Sequence, residues 1–252
     1  MPARRLRLLS ANIQAGSSTR GYHDYVARSW SHVLPGGNKR GALDSIAELA
    51  GRHDIVGLQE ADPGSLRSGF TNQTQYLAQR AGFAYWSHQP NRRMGGVASS
   101  ANGLLSRLEP RLVEEFPLPG RVKGRGVLTA TFGHGESALT IAIAHLSLGS
   151  QSRATQLGFI AELLAHRSHA VLMGDFNCNP DSPEMQALYR HTQLQPPDRC
   201  VLTFPSWRPQ RAIDHMLVTP ALGISAMQAL PAAQSDHLAL SVDLDVPETA
   251  LR

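Results

Sequence analysis

The chain has 252 residues, 42% of them hydrophobic and 17% charged, with a formal net charge of +4 and a pI near 9.4. That balance excludes a disordered chain, and without an apolar run of transmembrane length it also excludes a membrane-spanning helix. Two cysteines make no disulfide framework, and the broken apolar run after Arg5 makes no secretion signal, so a reduced, cytoplasmic setting is expected.

In chain order, Arg7 to Ile13 reads as an apolar strand that ends on polar residues. Ala42 to Gly51 places Leu43, Ile46, Ala47, Leu49 and Ala50 at helical spacing, and Asp54 to Gln59 returns to a strand. Thr71 to Ala81 reads as a second helix, with Gly82 as its stop. Strands are expected at 102–106, 111–115, 126–132 and 138–146. A helix follows over 151–166, with Leu157, Ile160, Leu163 and Leu164 on one face. A strand at 170–173, a short helix at 183–189 and strands at 212–218 and 238–244 complete the chain. No internal repeat or linker interrupts it, so residues 1–252 are expected to form one domain. Many strands with a few helices between them suggest two sheets packed face to face, with helices outside.

Two stretches fit this plan poorly. The 16–40 segment interleaves Tyr22, His23, Tyr25, Trp30 and His32 with basic residues, and the 62–70 segment is irregular. Each follows a strand whose end carries polar residues, where loops commonly shape a binding site.

The chemistry concentrates where apolar strands run into acids, amides or histidines. Leu8-Leu9-Ser10-Ala11 leads to Asn12, Val56-Gly57-Leu58 to Gln59-Glu60, and Val171-Leu172-Met173-Gly174 to Asp175-Phe176-Asn177. Ile141-Ala142-Ile143-Ala144 leads to His145, while Ile213-Asp214-His215 and Ser235-Asp236-His237 repeat the theme. Carboxylates at the ends of buried strands are costly to desolvate unless paired or bound to a cation. Oxygen donors with few thiols favour a hard cation such as Mg²⁺ or Mn²⁺.

Asn12, Gln59-Glu60, Gly174-Asp175-Phe176-Asn177, Ile213-Asp214-His215 and Ser235-Asp236-His237 together resemble the signature of the endonuclease/exonuclease/phosphatase superfamily. The words are short, but they stand in family order across residues 12 to 237. The resemblance implies an α/β fold: a four-layer α/β/β/α sandwich of two mostly antiparallel sheets flanked by helices, with the site on one sheet edge. It also implies that Glu60, Asn12 and Asp236 hold the metal. Asp175 and Asn177 would position the attacking water and the phosphoryl oxygens. His237, oriented by Asp214, would either take a proton from water or hydrogen-bond the phosphate, and His145 would stabilise the departing oxygen. The Asn102-Gly103-Leu104-Leu105-Ser106-Arg107 run resembles a segment lining the site, so Asn102 is expected to touch phosphate. Arg153, with Gln156 one turn later, is a further substrate-binding or support candidate. Gln14 stands where the repair nucleases of the superfamily carry an acid, which speaks against abasic-site repair.

The function expected is metal-dependent phosphoesterase chemistry, with no obligate protein partner. Phe70, Trp86, Trp207 and Trp30 could line an apolar pocket or rim suited to a phospholipid or small-molecule diester. A nuclease acting on DNA or RNA is the alternative, and a non-catalytic phosphate-binding module is the remote one.

Overall fold

In the computed structural model, which describes residues 2–14, 39–94, 98–120, 124–232 and 235–252, two mixed sheets stack face to face. The aromatic and basic loop expected at 16–40 lies outside the described residues, apart from its last two. Strand β1 (Ala3–Asn12) runs parallel to β2 (Ile55–Ala61), joined through helix α1 (Lys39–Ala50). Helix α2 (Gln73–Ala81) then leads to β3 (Tyr85–Met94) and β4 (Ala98–Ser106). The second half begins with β5 (Leu112–Pro117), β6 (Gly126–Phe132) and β7 (Leu139–His145). Helix α3 (Ser150–Leu164) crosses from β7 to the parallel strand β8 (His169–Asp175). Helix α4 (Pro183–His191), β9 (Asp214–Val218), β10 (Gly223–Pro231) and β11 (Leu238–Pro247) follow. The sheet orders are β10-β11-β1-β2-β4-β3 and β5-β6-β7-β8-β9. Among the described strands only β1–β2 and β7–β8 pair in parallel, each pair requiring a crossover, and α1 and α3 supply them.

Strand alternation produces the layers. Leu6 and Leu8 of β1, Ile55 of β2 and Leu104 of β4 face the other sheet. There they meet Leu128, Ile141, Ile143, Val171 and Met173 in one inter-sheet core. The alternate residues Leu9, Ala11, Val56 and Leu58 pack outward against Leu43, Ile46 and Leu77 of α1 and α2. On the other side Ala142, Ala144 and Leu172 pack against Leu157, Ile160 and Leu188 of α3 and α4. The four-layer α/β/β/α sandwich follows from this two-sided burial. At Gly57 the sheets approach so closely that a Cβ would sit 2.7 Å from Met173 Cε and 3.0 Å from Ile143 Cγ1, so a larger residue would require those side chains to shift.

The structure extends the sequence reading by two strands, β3 and β10, which occupy the outer edges of the six-stranded sheet. It also corrects one expectation about the apolar rim. Trp86 pairs with Leu105, near the start of β2, and so lies at the end of the sheet remote from Glu60. No described helix is long and apolar enough to cross a membrane.

Candidate active site

Strand ends from both sheets meet at one edge of the sandwich. Asn12 stands opposite Gln59, His145 opposite Asp175, and Asp175 opposite Asp214 in register. The stripe that forms the inter-sheet core continues into the site by simple alternation. Leu8 gives way to Ser10 and Asn12, Ile143 to His145, Met173 to Asp175, and Met216 to Asp214. Glu60 breaks the alternation. By parity with Val56 and Leu58 it would point into the helix-covered face. The register instead shifts between Leu58 and Ala61, and Glu60 takes φ 59°. This bulge-like irregularity turns its carboxylate to the edge, where Oε1 lies 3.8 Å from His145 Nε2. Asn177 (φ 56°) and Gln14 (φ 43°) carry the same uncommon backbone conformation, so among the described residues three of the four non-glycine residues with positive φ flank this edge.

Two hydrogen-bonded groups interlock there. In the first, Asp214 accepts from His237 Nδ1 at 2.9 Å (Oδ2) and 3.1 Å (Oδ1), and Thr203 Oγ1 donates to Asp214 Oδ2 at 2.6 Å. The second centres on Asp175, whose Oδ2 accepts from Asn12 Nδ2 at 3.1 Å and whose Oδ1 accepts from the Asn177 backbone N–H at 3.0 Å. Around Asp175 Oδ2 stand His145 Nε2 at 3.4 Å and His237 Nε2 at 3.9 Å. Asn177 Nδ2 donates to Leu146 O at 3.0 Å, which ties the turn after β8 to the end of β7. Gly174 permits this junction: at φ 145°, a Cβ there would come within 1.8 Å of Ala144 O.

Burial separates the ionisation behaviour of these groups. Asp175 is raised to about 7 by desolvation, with His237 opposing and Asp214 and Glu60 adding to the rise. Asp236 is raised to about 6, again chiefly by burial. For His237 burial favours the neutral ring, yet the charge and hydrogen bond of Asp214, joined by Asp175 and Asp236, lift it to about 10. His145 goes the other way: burial, then Arg125 and His237, hold it well below the usual imidazole range. Near neutral pH the site therefore pairs an imidazolium and a neutral imidazole around a carboxyl poised to exchange a proton.

Residues 9–237 match the family model for the Endonuclease/Exonuclease/phosphatase family. The chain belongs to that family. Solved structures with the same fold include an endonuclease/exonuclease/phosphatase from Beutenbergia cavernae DSM 12333. It is 22% identical with a TM-score of 0.73, over 96% of this chain and 72% of that one. A mannosyl-6-phosphatase from Bacteroides thetaiotaomicron VPI-5482 is 17% identical with a TM-score of 0.67, covering 95% of this chain and 99% of that one. D. rerio TDP2 complexed with single strand DNA product is 16% identical with a TM-score of 0.66, covering 95% and 98%. No curated protein matches this chain. Members of this family are hydrolases of phosphoesters.

Of the residues singled out from the family signature, Asn12, Glu60, His145, Asp175, Asn177, Asp214, Asp236 and His237 converge at the edge. Two others take different parts. Asn102 is fully buried between the sheets, and its Nδ2 donates to Gly126 O at 2.8 Å and Gln89 Oε1 at 3.2 Å. These bonds tie the two sheets together below the site. Arg153, expected to bind substrate, is committed to Glu184 of α4, with Nη2 2.7 Å from Oε1, and to the carbonyls of Ser147 and Leu148. With Gln156, whose Oε1 accepts from Ser147 N at 2.9 Å, it holds the loop after His145. Arg107, at the end of the Asn102 run, lies at the opposite end of the sheet from Glu60. His215 is an ordinary strand residue, its Nε2 2.8 Å from Cys178 O. The sequence reading passed over Thr203 and gave no role to Ser235 of the Ser235-Asp236-His237 word, whose Oγ donates to Asn12 O at 2.7 Å and accepts from His237 N at 3.1 Å.

The donor set suits a hard divalent cation, the kind on which the family generally depends. Among the described residues, Asp175, Asp214 and His237 bring ligand atoms within 4.8 Å of one another. That trio differs from Asn12, Glu60 and Asp236, the set that the resemblance implies; Asn12 Oδ1 already accepts from Gln14 N at 3.1 Å. Both oxygens of Asp214 already accept from His237 Nδ1, and one also accepts from Thr203. Asp236 Oδ1, by contrast, is buried with no hydrogen-bond partner and stands 3.6 Å from His237 Nε2. A buried carboxylate oxygen left so is costly unless a cation satisfies it.

Proposed function

We propose that this chain hydrolyses a phosphodiester by in-line attack of water, with Glu60, Asn12 and Asp236 holding Mg²⁺ or Mn²⁺. When bound, that cation would supply Lewis-acid neutralisation of the phosphoryl oxygens. Asp175, raised to about 7, accepts the proton of the attacking water, and Asn12 and Asn177 keep its carboxylate in place. His237, its Nδ1 held by Asp214 and its Nε2 facing Asp175 Oδ2, is assigned the hydrogen-bonding role toward the phosphoryl group. His145 presents a neutral imidazole to the departing oxygen. The observation that carries the reading is the meeting of His145 Nε2, at 3.4 Å, and His237 Nε2, at 3.9 Å, on one oxygen of Asp175.

The test is turnover of bis-p-nitrophenyl phosphate with Mg²⁺ or Mn²⁺. Loss of one preorganised donor costs roughly 10²–10³ in rate. Glu60→Ala, Asp175→Ala and His237→Ala are therefore each expected to lose at least about that much, with circular dichroism unchanged. Full activity in His237→Ala defeats the assignment.

The substrate favoured is a phospholipid or small-molecule diester. Phe70 (73% exposed), Leu148 (78%) and Trp207 (39%) stand on loops that leave or enter the catalytic edge, and aliphatic Leu148 offers no face on which a base could stack. A nuclease is the second reading, supported by the likeness to D. rerio TDP2 complexed with single strand DNA product. Salt separates the two, because binding of a nucleic acid weakens steeply with ionic strength.

A further inference from the structure

We infer that Thr203 is a positioning residue for His237, the third member of a His237–Asp214–Thr203 chain. The inference rests on the phosphoesterase reading of this site. It starts from the shortest hydrogen bond there, Thr203 Oγ1 to Asp214 Oδ2 at 2.6 Å, between a hydroxyl with no solvent exposure and a carboxylate that is 4% exposed. Asp214 opens β9 directly opposite Asp175 in register, so two buried carboxyl groups are neighbours on adjacent strands. A carboxylate in that position gains by rotating away from its like-charged neighbour, and only its hydrogen bonds fix its plane. His237 supplies one bond, through Nδ1 at 2.9 Å, and Thr203 supplies the other. With both made, the direction from Asp214 through the imidazole to Nε2 is set, and Nε2 faces Asp175 Oδ2 at 3.9 Å.

Thr203 is itself rigidly held, as a positioning group must be. Its backbone N–H donates to Arg211 O at 2.9 Å, and its carbonyl accepts from Leu238 N, the residue after His237, at 2.8 Å. The next residue, Phe204, lays its ring 4.9 Å from the His237 ring, and Ser206 N donates to Asp236 O at 2.7 Å. One short segment therefore grips the Asp236-His237 backbone, covers the imidazole and orients its carboxylate partner. The hydroxyl is the only part of Thr203 that acts on the reacting groups, and it acts through Asp214.

The experiment compares Thr203→Val, which removes the donor at nearly constant shape, with Thr203→Ser, which keeps it. With bis-p-nitrophenyl phosphate and Mn²⁺, Thr203→Val is expected to lose roughly ten- to hundred-fold in kcat, the scale of one hydrogen bond to a charged group. Its KM should stay within about twofold because Thr203 does not touch substrate, and Thr203→Ser should recover most of the loss. Wild-type kcat in Thr203→Val overturns the inference. So does a loss expressed in KM, or one that Thr203→Ser shares equally. A second readout needs no turnover: the Nδ1-bound proton of His237, seen by NMR of ¹⁵N-histidine-labelled protein. It should move in Thr203→Val and stay in place in Thr203→Ser, and an unmoved resonance overturns the inference. Should Thr203→Val not fold, Thr203→Cys carries the same comparison with a weaker donor. If the wild type turns over no phosphoester at all, the function proposed above fails, while the resonance still decides the role of Thr203.

Discussion

His53 shows how a buried side chain adds to the acid sensitivity of this fold. It is 4% exposed, with Nδ1 3.0 Å from Leu49 O and Nε2 2.9 Å from Ser241 Oγ. That geometry suits a neutral ring whose Nδ1–H donates to the carbonyl and whose Nε2 accepts from the hydroxyl. Burial accordingly lowers its pKa from 6.5, with Arg7 adding to the drop while Leu49 O, Asp54 and Asp243 oppose it. A depressed histidine means that the unfolded chain takes up the proton first. Its contribution is therefore complete above 6.5 and declines as the pH falls below that value. Thermal melts from about pH 7.5 to about pH 5.5 should show His53→Gln losing less stability than the wild type. Equal losses would mean that folded His53 takes up its proton as readily as the unfolded chain, so that burial does not lower its pKa. His145, His169 and His215 shift in the same direction, so only the difference between the two proteins isolates His53. At this scale the site was largely legible in the sequence, because an acid or imidazole at the end of an apolar strand stands out against the cost of burying it. Thr203 was not, since nothing in Thr203-Phe204-Pro205 marks its hydroxyl as aimed at a carboxylate 11 residues away. For Arg153, a substrate-binding or support candidate, the supporting partner Glu184 could not be read from the sequence because it is 31 residues distant, on another helix.

Among the elements, the edge strands were the ones hidden from the sequence. β3 carries Pro90 and a polar run, and β10 is exposed along most of its length. An outer strand has one unpaired side, tolerates proline and needs no alternating apolar face, so it leaves no period-two signal. The interior strands β6, β7 and β8 are buried on both faces and read plainly as apolar runs. Helix ends are joined by another feature invisible to periodicity. Arg107 donates to Gly51 O at 2.8 Å and His53 O at 3.1 Å just beyond α1, and to Gly82 O at 3.2 Å just beyond α2. Its guanidinium also lies 4.8 Å from the Phe83 ring centroid. One guanidinium thus serves the carbonyl ends of two helices, where a cation is favoured and unpaired oxygens are costly. Arg107→Ala is expected to cost roughly 2 kcal/mol, seen as a fall in Tm of about 4–8 °C, with kcat of the folded fraction unchanged. An unaltered Tm would show that water replaces the guanidinium without cost. Because Arg107 lies at the end of the sheet away from Glu60, a large loss of kcat would contradict the placement of the site.

For the molecule as a whole, stability and function meet in the charge at the catalytic edge. Folding brings Glu60, Asp175, Asp214 and Asp236 together, and the rise of Asp175 and Asp236 to about 7 and 6 records the cost of burying those carboxylates. The inter-sheet core that carries these strand ends is continuous from Leu6 to Val246, so the acids cannot spread apart without opening the sandwich. A cation bound among them should therefore stabilise the entire domain and not merely a loop. At about one hundred times the dissociation constant the linkage amounts to roughly 2.7 kcal/mol, or about 5–10 °C in Tm for a chain of this length. Differential scanning fluorimetry with Mg²⁺ or Mn²⁺ should show that rise and its saturation. Glu60→Ala should largely abolish it, because Glu60 is the carboxylate the bulge in β2 turns outward. Calcium or monovalent salt giving an identical rise in wild type and Glu60→Ala would mean general screening of the +4 chain. A rise that survives Glu60→Ala but vanishes in Asp214→Asn would move the cation to the Asp175, Asp214 and His237 trio.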